Sequence, residues 1–421
     1  MGSAPGPYSI ERKFGVFDPA LDPTREEVYQ FVDTFLGEMA ALFPDPYFHI
    51  GGDEVTGKPW QRNPKIQAVM QEKGMKDWHD LQAYFNQRLS QMVEKHGKKM
   101  VGWDEVLHPD LPQSIVVQSW RGASSLAEGA RKGYRGILSS GYYLDHIRPA
   151  AFHYQKDPLP ADSPLSAEEA ARILGGEACQ WGEHVGPETI ESRIWPRTAA
   201  IAERFWSPRE VADVKEMYRR FDAQEPALRA LGVMQAHEQL LERLVSPPPR
   251  KTKSKSKTPP PVSRALAPMR ALQEVMEPVS FSMRIKIQRP TQETPLTGLV
   301  DVARPDSRAA REFAARVDEY LSNPRPELRD QLRRTLTAWN QIHAALNQVP
   351  HPTPLVRQAR QAARQLSLLC ATGLRALGKV KPAWRTKQAA WLARAGRPGP
   401  AAVEFATLLP ALRKLVETPA P

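Results

Sequence analysis

Two pairs of adjacent carboxylates, Asp53 with Glu54 in "FHIGGDEV" and Asp104 with Glu105 in "KKMVGWDEV", each close a short apolar run. An isolated acid pair is more often a solvated loop or an ion-pair partner than a site. The first pair differs because Gly51 and Gly52 precede it, weakening the strand while allowing an unusual turn or a close backbone approach. Successive side chains of a strand point to opposite faces, so both acids reach one pocket only where the backbone leaves the pleat. Aromatic residues and further acids fall at or beyond the ends of similar runs: Trp60, Trp103, Trp120, Tyr143 with Asp145, and Trp181 with Glu183. Any one of these tryptophans alone is an ordinary core residue. Several aromatic faces gathered with carboxylates suit a sugar, whose C–H faces stack on rings while its hydroxyls bind acids. Glycoside hydrolysis needs this set: an acid to protonate the leaving oxygen and a stabiliser for an oxocarbenium-like transition state. His49, His146 and His184 raise the alternative of a metal or triad role. With no HExxH, no GxSxG and no histidine pair at helical ligand spacing, they read as hydrogen-bonded support, and neither a metal site nor a cofactor is expected.

The elements that must position these residues alternate between strand and helix from about residue 24 to 206. "DPTREEVYQFVDTFLGEMAALF" sets Thr24 and Glu27 in capping-box spacing and places Val28, Phe31, Val32, Phe35, Leu36 and Met39 on one helical stripe. After "YFHIGGDE" come a short helix near 64–73 and a long one through "WHDLQAYFNQRLSQMVEKH" that stops at Gly97. "KKMVGW", "SIVVQSW", "YRGILSS" and "RILGGEACQW" follow as further strands, with helices near 123–132 and 188–206. Strands apolar on both faces and separated by helices form a parallel sheet covered by helices. A doubly wound sheet and a (β/α)8 barrel both satisfy that pattern. Polar and aromatic residues at the ends of many strands, with no GxGxxG loop after any, favour the barrel, of which five strand units are visible. Residues 1–232 are assigned to this α/β region, 233–264 to a helix end and a Pro/Lys/Ser linker, and 265–421 to an all-helical C-terminal module.

The formal charge of +11 over 421 residues would suit a phosphate-rich partner, but five of the cations sit in "RKTKSKSK" at 250–257, between proline runs. That segment reads as a solvated linker rather than a nucleic-acid arm. Two cysteines, Cys179 and Cys370, fall in unlike elements and suggest neither a disulfide framework nor a zinc site. The N-terminal "MGSAPGPYSIERK" has no apolar signal core, and no apolar run reaches the roughly 18 residues of a membrane span.

"HIGGDE", "GWDEV", "SWRG", "GYYLD", "GGEACQWGE" and "RIWPRTAAIAERFWS" occur in the order and approximate spacing of glycoside hydrolase family 20, which residues 5–232 resemble. The resemblance implies a (β/α)8 barrel acting on glycans that end in N-acetylhexosamine, with the substrate's own 2-acetamido oxygen as nucleophile. It implies Glu54 as general acid/base, Asp53 as the group that orients the acetamido group and stabilises the positive charge of the oxazolinium intermediate, and Tyr143 as the tyrosine that hydrogen-bonds the acetamido oxygen. Trp103, Trp120 and Trp181 correspond to the pocket walls and stacking floor, Trp60 to the rim, Asp145 and Glu183 to carboxylates holding hydroxyls. Asp104 and Glu105 fall to supporting roles. Family members carry three barrel strands before "HIGGDE", including a sugar-clamping arginine, and residues 1–23 supply none of them. The expectation is therefore strands four to eight of a barrel. It leaves two functional outcomes, a β-N-acetylhexosaminidase or an inactive remnant that at most binds sugar weakly or serves as a structural module. Members are commonly exported, which in a bacterium implies the periplasm or the exterior.

Overall fold

The computed structural model of the protein describes residues 1–246 and 264–418, so the basic run at 250–257 lies outside the described residues. These divide into two compact units. One comprises residues 1–143, 153–179 and 201–212; the other comprises 144–152, 180–200 and the described residues from Asp213 onward.

The first unit is built on β1 (Tyr47–His49), β2 (Lys99–Trp103), β3 (Val116–Ser119), β4 (Arg135–Leu138) and β5 (Ile173–Gly176). They hydrogen-bond in chain order, every pair parallel. The five strands coincide with the five apolar runs, and the fold is α/β. A doubly wound sheet reverses its strand order at a switch point; this sheet does not. In a parallel sheet all C-terminal ends share one edge, so Asp53, Trp103, Trp120 and Tyr143 are delivered to the same edge by strand direction alone.

Helices α1 (Glu26–Leu42), α2 (Lys58–Arg62), α3 (Pro64–Glu72), α4 (Trp78–Lys95) and α5 (Ala123–Arg131) fill the connections. Asp77 caps α4 by accepting the His79 and Asp80 N–H groups, and Gly97 follows its end at φ +72°. The start of α1 departs from expectation. Asp22 takes both the backbone N–H and the hydroxyl of Thr24, at 3.0 and 2.7 Å, so no capping box forms and the helix begins at Glu26 with Arg25 as an unassisted N-cap. Its apolar stripe is also narrower. Val28 and Leu36 are buried, whereas Phe31 and Phe35 are 53% and 47% exposed. Leu36 joins Leu89 and Val93 of α4 with Met100 and Val117 of the strands and Ile115 just before β3 in one core, each such side chain stabilising the fold by about 1.5–3 kcal/mol.

The second unit is largely helical. Phe313, Leu332, Leu336, Leu366, Leu369 and Leu412, from helices Arg308–Ser322, Pro326–Asn347, Pro354–Ala376 and Leu408–Glu417, share its core. The expectation of an all-helical region fails at one point: β6 (Glu277–Pro278) pairs antiparallel with β7 (Val403–Glu404). Strands of two residues are too short to show a period-2 pattern. Cys179 and Cys370 are both free and buried.

Close approach at the sheet edge makes a definite demand on Gly102 of β2. A Cβ there would lie 2.4 Å from Val106 Cγ1 and 3.3 Å from the Gly51 carbonyl oxygen, and Val106 is fully buried. Gly102→Ala is expected to destabilise the protein by about 1–3 kcal/mol through overpacking, read as a lower urea midpoint. An unchanged midpoint would contradict this packing.

Candidate active site

The chain does leave the pleat at "GGDE". Pairing with β2 runs past β1, with the Ile50 N–H donating to Val101 O at 2.9 Å and Gly51 O accepting from the Trp103 N–H at 3.1 Å. Beyond that, Gly51, Gly52 and Glu54 take φ of +75°, +96° and +57°. A non-glycine residue in the left-handed region costs on the order of 1 kcal/mol and persists only where its surroundings fix it. The buried amide of Gln82, on α4, donates to Gly52 O at 2.6 Å, and His49 Nδ1 accepts from the Gly51 N–H at 3.0 Å. The resulting turn leaves Asp53 and Glu54 both exposed.

Burial, the Asp53 carboxylate and the Glu105 carboxylate together hold the Glu54 carboxyl above the usual carboxylate range. Glu105 is itself anchored, accepting from Trp120 Nε1 at 3.1 Å and pairing with Arg121 Nη2 at 2.9 Å. Asp104 is 3% exposed and accepts from the Trp120 and Arg121 N–H groups at 2.8 Å each and from the Ser125 hydroxyl at 2.5 Å. It fixes the turn after β3. The second acid pair is therefore a clamp that orients Trp120 and lends Glu105's charge to Glu54.

Trp103, 8% exposed, closes β2 with its ring against His49, centroids 4.9 Å apart and planes at 62°. Burial pulls the His49 imidazole below its ordinary pKa, against the opposing influence of Glu177 and Asp53. Gln118 of β3 is buried and donates to Ser139 Oγ at 2.7 Å and to Glu177 Oε1 at 2.8 Å. Gln82, Gln118 and Glu177 escaped the sequence reading. For Gln118 the signal was present, a lone amide inside the otherwise apolar "SIVVQSW"; Gln82 sits among the polar residues of an amphipathic helix and gave none. Tyr143 is half-buried and pairs as an isolated parallel bridge with Cys179, while the adjacent Tyr142 points into the core against Phe205, 4.7 Å between centroids.

Trp60 does not reach a rim. It is 3% exposed on α2, its Nε1 donates to Leu21 O at 2.8 Å, and it packs with Ile66, Met70 and Leu81. The early proline-capped turn of α2 swings the indole inward, so this expected sugar contact is corrected to a core residue.

Asp145, Trp181 and Glu183 belong to the second unit, which brings them together. The Trp181 N–H donates to Asp145 Oδ1 at 3.4 Å, and both residues line one pocket. Burial raises the Asp145 carboxyl, His146 opposes that shift, and the neighbouring Glu183 adds to it. Glu183 Oε2 is buried with no hydrogen-bond partner among the described residues, while the Trp181 indole is 45% exposed. Among the described residues no group of three or more His, Cys, Asp or Glu could hold a metal ion, and no helix is long and apolar enough to cross a membrane.

Residues 6–209 match the catalytic-domain model of glycosyl hydrolase family 20. Curated relatives include the β-hexosaminidase subunit beta of Felis catus, 36% identical over 51% of this chain and 41% of its own length. The β-hexosaminidase subunit alpha of Bos taurus is 37% identical over 51% of this chain and 42% of its length, and the β-hexosaminidase of Porphyromonas gingivalis 35% identical over 50% and 29%. The chain thus spans about two fifths or less of these relatives. A crystal structure of Flavobacterium johnsoniae chitobiase aligns at a TM-score of 0.87 and 33% identity, covering 99% of this chain and 62% of that one. Ordered motifs, a matching catalytic-domain model and a solved relative aligned along nearly the whole chain agree that residues 6–209 are similar to the catalytic domain of glycosyl hydrolase family 20.

Proposed function

We propose that the chain carries the catalytic acids of a β-N-acetylhexosaminidase that releases terminal, non-reducing N-acetylglucosamine or N-acetylgalactosamine with retention of configuration. The observation that carries this reading is the left-handed turn that exposes Asp53 beside a Glu54 whose carboxyl is held in its protonated form to higher pH. A glycosidase with a protein nucleophile needs its carboxyls about 5 Å apart across the sugar ring, whereas adjacent acids suit substrate assistance. In the first step the Glu54 proton passes to the glycosidic oxygen, the C1–O bond breaks, and the substrate's acetamido oxygen bonds to C1 as an oxazolinium. Asp53 orients the acetamido N–H and offsets the positive charge, and the Tyr143 hydroxyl bonds the acetamido oxygen. Water then attacks C1, giving its proton to the Glu54 carboxylate and restoring the acetamide. Trp103 and Trp120 wall the acetamido group, Trp181 stacks on the ring, and Asp145 with Glu183 binds hydroxyls.

The unreversed order of β1 to β5 supports reading them as strands four to eight of a (β/α)8 barrel. On that reading β1 and β5 present the edges that strands three and one would pair with. The proposed substrates are glycans ending in N-acetylhexosamine, with no metal or other cofactor in the reaction.

The test is turnover of a chromogenic N-acetyl-β-glucosaminide by the full chain. Glu54→Gln is expected to lower kcat/KM by about 100-fold or more, the scale of general acid catalysis. The matching aryl β-glucoside, which lacks the acetamido group, should not be cleaved; equal cleavage of both would sink substrate assistance. No turnover of either by a folded chain would leave the inactive remnant.

A second expectation concerns pH. The first step needs Glu54 protonated, so activity falls on the alkaline side as it ionises. Glu105→Gln removes one of the negative charges that raise its pKa, and the alkaline limb of kcat/KM should move to lower pH. A limb that stays in place or moves upward would show that Glu105 does not set this proton's affinity.

A further inference from the structure

The pocket containing Asp145, Gln180 and Trp181 has a second wall, formed by Phe281, Arg284 and Val300. These three lie well outside residues 6–209, in the predominantly helical part of the same compact unit. Phe281 is the first residue of helix Phe281–Gln288 and is half-buried. Its ring sits 5.0 Å from His184 and 6.4 Å from His146, the residues that follow Glu183 and Asp145 in the chain.

The ring is held on a stiff support. Before it, β6 pairs with β7 and the Val279 N–H donates to Ala402 O at 3.1 Å. One turn after it, the buried Arg284 pairs with the buried Asp301 at 2.8 Å, and Asp301 also accepts the Gly298 N–H at 2.9 Å. The segment beyond is tied to the other wall. Arg193, 2% exposed, donates to the carbonyls of Ala303, Val300 and Asp301 at 2.9 to 3.2 Å. Arg197, 1% exposed, donates to the carbonyls of Leu144 and Arg148 at 2.9 Å and to that of Arg193. Asp145 lies between Leu144 and Arg148, so two buried guanidinium groups link the backbone bearing Asp145 to the backbone bearing Val300. A cation buried without such partners is costly, which makes the linkage a fixed dimension rather than a loose contact.

One wall thus offers a carboxylate, an amide and a half-exposed indole, the other a positioned aromatic ring. We propose that Phe281 is a sugar-contacting residue of this pocket, and that the region beyond the family-matched residues supplies one wall of the site and sets how tightly an N-acetylhexosamine is held. This rests on the reading of Asp145 and Trp181 given under Proposed function. The ring bears on binding and carries no proton, so its removal acts on affinity rather than on bond breaking.

The experiment titrates free N-acetylglucosamine into the full chain, followed by ligand-observed NMR, beside kinetics on the chromogenic substrate. Phe281→Ala should weaken sugar binding and raise KM by about tenfold, the scale of one aromatic contact, with kcat within about twofold of the parent. Phe281→Tyr keeps the ring and should restore both. Glu54→Gln should abolish turnover while still binding the sugar, which separates the chemistry from the pocket. Circular dichroism and a thermal midpoint establish that each variant is folded. Should Phe281→Ala not fold, Phe281→Leu fills the space without a ring, and weakened binding in that folded variant supports the proposal. Parent-like binding in a folded Phe281→Ala or Phe281→Leu overturns the proposal and leaves the proposed activity standing. No sugar binding and no turnover by the parent chain overturns both.

Discussion

Taking two adjacent carboxylates out of the pleat at a strand end is the constraint on which the site depends. A pleated chain cannot do it, because neighbouring side chains diverge. The protein solves this with three left-handed residues in four, and only two of them are glycine. The third, Glu54, is held by what surrounds the turn. Gln82 pins the Gly52 carbonyl, His49 takes the Gly51 N–H, and Gly102 gives up a side chain so that the next strand can approach. The rest of the edge continues the same device: Asp104 at the end of β2 clamps the backbone that follows β3, and Gln118 of β3 reaches Glu177 beyond β5. Each strand end is fixed by its neighbour, so the geometry of the acids belongs to the sheet rather than to one loop.

The electrostatics follow from that packing. Partial burial raises the Glu54 carboxyl, and the like charges of Asp53 and Glu105 nearby add to that preference for the protonated form. If Glu105 were free to swing away, the effect would be diluted by solvent. Arg121 and the Trp120 indole hold it in place instead, at the cost of partly neutralising it. The second unit meets a related problem with opposite charges. Burial pulls the guanidinium of Arg193 down to about 10 and that of Arg197 to about 9, which still leaves both charged near neutrality. Their Nη groups donate to backbone carbonyls, partners that suit a buried cation whose planar fork presents several donors.

Much of the α/β layout was legible in the sequence because it rests on periodicity. Five apolar runs became five strands, and "GGDE" announced a departure from the pleat. What failed depended on neighbours distant in the chain or on competing local bonds. Thr24 has the spacing of a helix cap, but Asp22 is two residues away and takes its hydroxyl first. Phe31 and Phe35 share a stripe with Leu36 on paper, yet both stay about half exposed while Leu36 packs into the core. Trp60 stands seven residues past Asp53, close enough in sequence to suggest a rim, but the α2 turn folds it into a separate small core.

The same distinction explains why the wall at Phe281 left no trace in the sequence. The segment "SFSMRIKIQ" forms a helix with little amphipathic pattern, so nothing singles out its first aromatic. The strand that leads into it is anchored by Glu277, four residues earlier in β6, whose carboxylate accepts from the Ser307 N–H and from both the N–H and hydroxyl of Thr407. Those partners come from segments 30 and 130 residues away. A buried acid with three donors from two distant segments costs little only when all three are in place, so the anchor of the strand leading into Phe281 exists as a property of the folded unit and not of any stretch short enough to read.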